Sequence, residues 1–173
     1  SVFEVIFYGY SHPANKVNYN DHTFTLVENT YTTKINNNKM NFYFLPDEVS
    51  NINISQNIKK NLRESRVLYF AFDPKDPNIE FIELIRFELA DLTLDETIDK
   101  YIIPAITNES ETYELPIVSC KNATRNQPVL IFETSSSTKV IENNNCYRFM
   151  ASSNTDIVRL RDYLFYIFTG IIQ

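Results

Sequence analysis

Glycine is nearly missing from this chain: two in 173 residues, Gly9 and Gly170. A phosphate cradle built from consecutive glycines cannot form locally, because Cβ atoms would block the backbone approach it needs. Histidine is almost as scarce, with His12 and His22 alone. Cysteine is limited to Cys120 and Cys146. Two cysteines without ligand spacing make neither a zinc site nor a disulfide scaffold, so reduced, cytosolic thiols are the expectation. Basic residues are the minority, giving a net charge of −6 and a pI near 4.9. That balance argues against a surface that tracks nucleic-acid phosphates. The one small basic cluster, Lys59-Lys60 with Arg63 and Arg66, reads as a solvated helix face. No apolar run approaches the roughly 20 residues of a membrane span, and no signal peptide is evident.

What is present is a core. Hydrophobic residues make up 43 %, and aromatics 14 %, carried by 13 Phe and 11 Tyr without Trp. A chain of this length and composition can bury a sizeable interior as one domain spanning residues 1–173. Val67 to Phe72 is an unbroken apolar run of strand length, which predicts a strand buried on both faces in the middle of a parallel sheet. Asp73-Pro74 and Asp76-Pro77 stop it, with Asp76 as helix N-cap and Pro77 at the first helical position. The stripe Ile79, Ile82, Ile85 and Leu89, with Phe81, Leu84 and Ala90 beside it, predicts a helix. Its pattern continues to Pro104 as one helix or two, with Arg86–Ala90 as a minor strand alternative.

Around that unit, Val2–Tyr8 reads as a first strand ending at Gly9. Thr23–Ile35 and Met40–Leu45, on either side of an Asn36–Asn38 turn, read as an antiparallel hairpin. Ile54, Ile58 and Leu62 mark an amphipathic helix within residues 52–62. Leu115–Cys120 and Cys146–Met150 read as strands, with a poorly defined element over 128–142. Ser153 caps a closing helix with the stripe Ile157, Leu160, Leu164, Ile167 and Ile171, leaving Arg159, Arg161 and Asp162 largely off it.

In this order the chain resembles a Ras-like small GTPase, through degenerate motifs. Gly9-Tyr-Ser-His-Pro-Ala14-Asn15-Lys16-Val17 stands where the family has its phosphate loop, with Ala14 for the second glycine and Lys16 one residue late. Asp47-Glu-Val-Ser50 stands for D-x-x-G. Asn122-Ala123-Thr124-Arg125 stands for N-K-x-D, with a cation where guanine needs an acceptor. Met150-Ala151-Ser152-Ser153 is similar to the last loop. The resemblance implies a three-layer α/β fold with a mostly parallel sheet and an antiparallel hairpin edge. It implies a pseudo-GTPase without bound cofactor or metal, acting as an adaptor or subunit of a cytoplasmic complex. Its partner surface would be the Thr25–Thr33 segment and the 52–62 helix, at Tyr31, Ile54 and Ile58. The alternative is a divergent nucleotide hydrolase using Gly9, Lys16, Asp47, Asn122 and Ala151.

Two other readings come from the residues themselves. Asp47, Asp73 and Asp76 would lie near strand ends, where a magnesium cluster is conceivable. Sequons at Asn53, Asn108 and Asn122 would suit an extracellular or viral glycoprotein, although a chain so rich in Asn, Ser and Thr produces about that many by chance.

Overall fold

A computed structural model describes residues 15–173. The expected first strand Val2–Tyr8, and Gly9 with it, lie outside the described residues.

Four short strands come first: β1 (Lys16–Tyr19), β2 (His22–Val27), β3 (Thr30–Ile35) and β4 (Asn38–Phe42). They form an antiparallel meander in the order β1-β2-β3-β4, which we call sheet A. The reversal between β3 and β4 places Asn36 and Asn37 at φ 50° and 67°. Left-handed backbone at both centre positions is what a two-residue hairpin of this twist requires, and asparagine is the residue that tolerates it after glycine. Asn144 and Asn145 do the same at φ 49° and 67° in a later hairpin. Asparagine thus takes over the turn positions in a chain with so little glycine.

Two helices follow, α1 (Pro46–Val49) and α2 (Gln56–Glu64), the second capped by Ser55 Oγ accepting the Ile58 N–H. Then come β5 (Val67–Phe72), α3 (Ile79–Leu94), β6 (Tyr101–Ile106), β7 (Val129–Thr134), β8 (Lys139–Asn143), β9 (Cys146–Ala151) and α4 (Asn154–Thr169). Sheet B has the order β6-β5-β7-β9-β8, with all neighbours parallel except the β8–β9 hairpin. As its apolar run predicts, β5 sits between two parallel neighbours.

The small-GTPase arrangement is not what forms. Among the described residues the hairpin strands do not extend the parallel sheet; they pair with one another, and two separate sheets result. The reason lies in α4. Nearly every residue from Ile157 to Phe168 is buried, two charged ones among them, so this helix is covered on almost every side. Sheet A lays Phe24 and Phe42 on Tyr166 of α4, with the Phe42 and Tyr166 rings stacked at 4.2 Å. On its other sides α4 packs against β9 and against α1, α2 and α3. One core cluster runs from Phe24 through α4 to Phe70 and Phe132 of sheet B.

Arg161 and Asp162, expected off the apolar stripe, are buried in this core. Asp162 Oδ2 accepts the backbone N–H groups of Tyr43 (2.8 Å) and Phe44 (2.9 Å), where β4 has run out of strand partners. Arg161 bridges Asp162 Oδ1 (2.5 Å), the Asn41 carbonyl (2.8 Å) and the carboxylate of Glu88 on α3. These bonds offset most of the cost of burying the charges, and Arg161 Nε alone of the pair's polar atoms is buried without a partner.

The second face of sheet B is thin. Alternation along the strands turns Ala71, Ala105, Val129, Ile131 and Cys146 that way. Among the described residues no helix covers them. Residues 107–128 cross over instead, contributing Val118, Cys120 and Ala123. The expected strand over 115–120 is reduced to a single bridge, Ile106↔Ile117. The predicted continuation of the helix to Pro104 also fails: α3 ends at Leu94, and Pro104 sits in β6, an edge strand that tolerates it.

Candidate functional site

The carboxyl ends of β5, β6 and β7 frame a cleft of about 520 Å³ lined by Asp73, Lys75, Asp76, Thr107, Ser119, Glu133 and Arg148, among others. The crossover from β6 to β7 passes over β5, so this is where the sheet's connections change direction, the usual ligand position in open α/β sheets. Its carboxylates and Arg148 are already engaged. Asp76 accepts from Thr134 N (2.8 Å), Thr134 Oγ1 (2.5 Å) and Asn78 N (2.8 Å). It therefore ties the start of α3 to the end of β7. The helix begins at Ile79, after Asn78, so Asp76 is not its N-cap. Asp73 Oδ1 accepts the Lys75 N–H, and Arg148 is paired with Glu133 at 2.8 Å. Among the described residues no group of three His, Cys, Asp or Glu could hold a metal ion. The cleft is a braced polar rim.

The residues expected at a nucleotide site are dispersed. Lys16 is an exposed residue of β1 opposite Thr25, and the loop positions before it, 9–14, lie outside the described residues. Asp47 is exposed in α1. Asn122 lies in a short 3-10 turn, Cys120–Asn122, on the loop over the second face of sheet B; its Oδ1 accepts the Ser119 N–H at 2.9 Å. Ala151 is buried at the end of β9, where its carbonyl accepts from Ser135 N. Lys16 and Asp47 belong to the sheet A side of the molecule and Asn122 to the opposite flank. Of the partner candidates, Ile54 and Ile58 are buried in the main core, and half-buried Tyr31 packs against it. Helical spacing identified the helix of Ile58, but that helix starts at Gln56, after Ile54, and its stripe faces inward.

A continuous exposed apolar surface occurs instead on α3. Its inner residues Ile82, Ile85 and Leu89 are buried against the core. Its outer side leaves Phe81 37 %, Leu84 54 %, Phe87 57 % and Leu94 81 % exposed. Leu84, Phe87 and Leu94 share one face by the 3.6-residue repeat, and Phe81 lies beside Leu84. The Arg86 guanidinium lies 4.6 Å from the Phe87 ring centre and is held by Glu83. The remaining charges along this face are acidic: Glu80, Asp91, Asp95 and Glu96 are all exposed. The signal was present in the sequence as a stripe wider than one buried face needs.

Cys120 and Cys146, expected as reduced thiols, are joined in a disulfide, with Cα atoms 5.2 Å apart across 26 residues of sequence. Spacing along the chain carried no hint of it. The loop folding back over sheet B places Cys120 beside the first residue of β9.

Among the described residues no helix is long and apolar enough to cross a membrane. No family model matches the chain, and no curated protein or solved structure gives a significant match.

Proposed function

We propose that this chain is a protein-interaction module and that the outer face of α3 is its docking surface. The observation that carries this reading is the exposed apolar stripe of Phe81, Leu84, Phe87 and Leu94 on a helix whose other face is already buried. Apolar surface concentrated in this way and rimmed by polar groups marks an interaction site. The acidic rim selects the partner: a protein segment, most simply a helix, that presents apolar side chains flanked by lysine or arginine. An anionic membrane surface fits poorly, because Glu80, Asp91, Asp95 and Glu96 would be pressed toward like charge.

The module works in an oxidising compartment in place of the cytoplasm expected from two thiols. The Cys120–Cys146 bond supports this, since disulfides persist where thiols are not kept reduced.

Cross-linking of the native protein in its own cells, read by mass spectrometry, tests the surface. Cross-links to a partner segment rich in Lys or Arg should map to residues 80–96 and disappear in a Leu84→Ser/Phe87→Ser variant. Cross-links elsewhere on the chain, undisturbed by that variant, would overturn the reading.

A further inference from the structure

Residues 107–128 hold three features that the docking surface does not use. Among the described residues the segment is what covers the second face of sheet B; it also carries one end of the disulfide and contains two of the three sequons. We propose that this loop is N-glycosylated, at Asn108 and Asn122. The inference is independent of the α3 surface and rests on the reading that the chain matures in an oxidising compartment.

Sequons alone decide nothing in a chain so rich in asparagine. The decisive point is their position. Asn108-Glu-Ser110 and Asn122-Ala-Thr124 each place an exposed asparagine in non-repetitive backbone. Asn122 lies two residues from Cys120, and the bond to Cys146 anchors the turn that presents it. The hydrogen bonds these side chains make are compatible with a sugar on Nδ2. Asn122 uses Oδ1, accepting from Ser119 N at 2.9 Å, so its nitrogen is free for the linkage. Asn108 donates one Nδ2 hydrogen to Thr107 Oγ1 at 3.2 Å, and a glycosylated amide keeps one hydrogen for that bond. The third sequon, Asn53-Ile-Ser55, differs in that Ser55 Oγ is the cap of α2.

The transfer needs a lipid-linked oligosaccharide as co-reactant. Nδ2 forms a bond to C1 of the first sugar, the C1–O bond to the polyprenyl phosphate breaks, the phosphate leaves with the bonding pair, and one amide proton is lost to base. The product would screen a weak flank. Ile117 in the same loop is 55 % exposed over a satellite core of only small and β-branched side chains plus Cys146.

Glycopeptide mass spectrometry on the protein purified from its own organism, kept non-reduced, tests this. A sugar mass increment is expected on the peptides containing Asn108 and Asn122, abolished at the second site by Thr124→Ala and retained in Thr124→Ser. A glycan on either asparagine upholds the loop as the modified element. Unmodified peptides at both sites, in protein whose Cys120–Cys146 bond is intact, overturn the proposal and leave the oxidising compartment standing. Free thiols at both cysteines would overturn the compartment reading and the glycosylation with it.

Discussion

Asp162 on α4 accepts the backbone N–H of Phe44 at 2.9 Å, although 118 residues separate them in sequence. That contact is one polar joint between the end of sheet A and the rest of the molecule, beside the packing of Phe24 and Phe42 on Tyr166. As β4 ends, Tyr43 and Phe44 still have donors pointing into the interior, and one carboxylate oxygen takes both. Tyr166 OH completes the joint by donating to the Phe44 carbonyl at 2.6 Å. Burial pushes Asp162 up to about 6, while Arg161 and the two backbone donors pull the other way.

Asp162→Ala should therefore be among the most damaging single substitutions. It strips two buried N–H groups of their acceptor and leaves Arg161 short of a counter-charge, a loss of about 3–5 kcal/mol. Urea denaturation followed by tyrosine fluorescence measures it. A loss below about 1 kcal/mol would mean that sheet A is held by apolar packing alone.

Lys100 sets a pH dependence on the alkaline side. Its ammonium is buried beneath the end of α2, donating to the carbonyls of Arg63 and Ser65 and lying 5.0 Å from the centre of the Phe168 ring. Burial lowers it from 10.5 to about 8. Between those values the unfolded chain binds the proton and the folded one releases it, so stability rises with pH through the window. The slope can reach about 1.4 kcal/mol per pH unit. Above pH 10 the buried tyrosines oppose it, because Tyr147, Tyr163 and Tyr166 are all raised by burial. Melting temperatures from pH 7.5 to 9.5 should climb in the native protein and stay flatter in Lys100→Met. A native curve that falls would contradict this assignment.

Reduction of Cys120–Cys146 releases a 26-residue separation. Loop-closure entropy assigns such a cross-link about 3–4 kcal/mol. The loss should be local in character, since the bond holds the loop over the small second core and not the main one. Amide exchange after reduction should accelerate first at Val118, whose N–H is bonded to the Ile106 carbonyl, with α4 little changed. Uniform acceleration throughout the chain would show that the loop is not a separate unit.

Asp76→Ala should cost about 2 kcal/mol, because the carboxylate takes two backbone donors and a hydroxyl at the joint between α3 and β7. Asp76→Asn, which keeps one carbonyl oxygen, should lose less. Equal losses for the two variants would assign the effect to packing.

Which elements could be read from the residues follows from how local their causes are. Val67–Phe72 is a buried parallel strand because six apolar residues in a row need both faces covered, and Asp73-Pro74 ends it. Ser153 caps α4 because its own Oγ reaches Asp156 N at 3.1 Å, three residues away. Short-range chemistry of this kind is written in short stretches of chain. Val129–Thr134 was harder to place. Its apolar run is shorter, ending at Phe132 before Glu133 and Thr134; a proline-ended loop precedes it and no helix directly follows, so nothing nearby marked it as the partner of β5.

The amino-acid order by itself thus determined the central strand, the closing helix, the Asn36–Asn37 turn and the surplus of apolar side chains on α3. Tertiary structure alone decided that the meander stands apart from the parallel sheet, that Arg161 and Asp162 are interior, and that Cys120 meets Cys146. Each of these is a pairing between distant segments. One sequence states what each segment needs to bury or bond, but several partners can meet the same need. Packing around α4, which is covered on almost every side, selects among them.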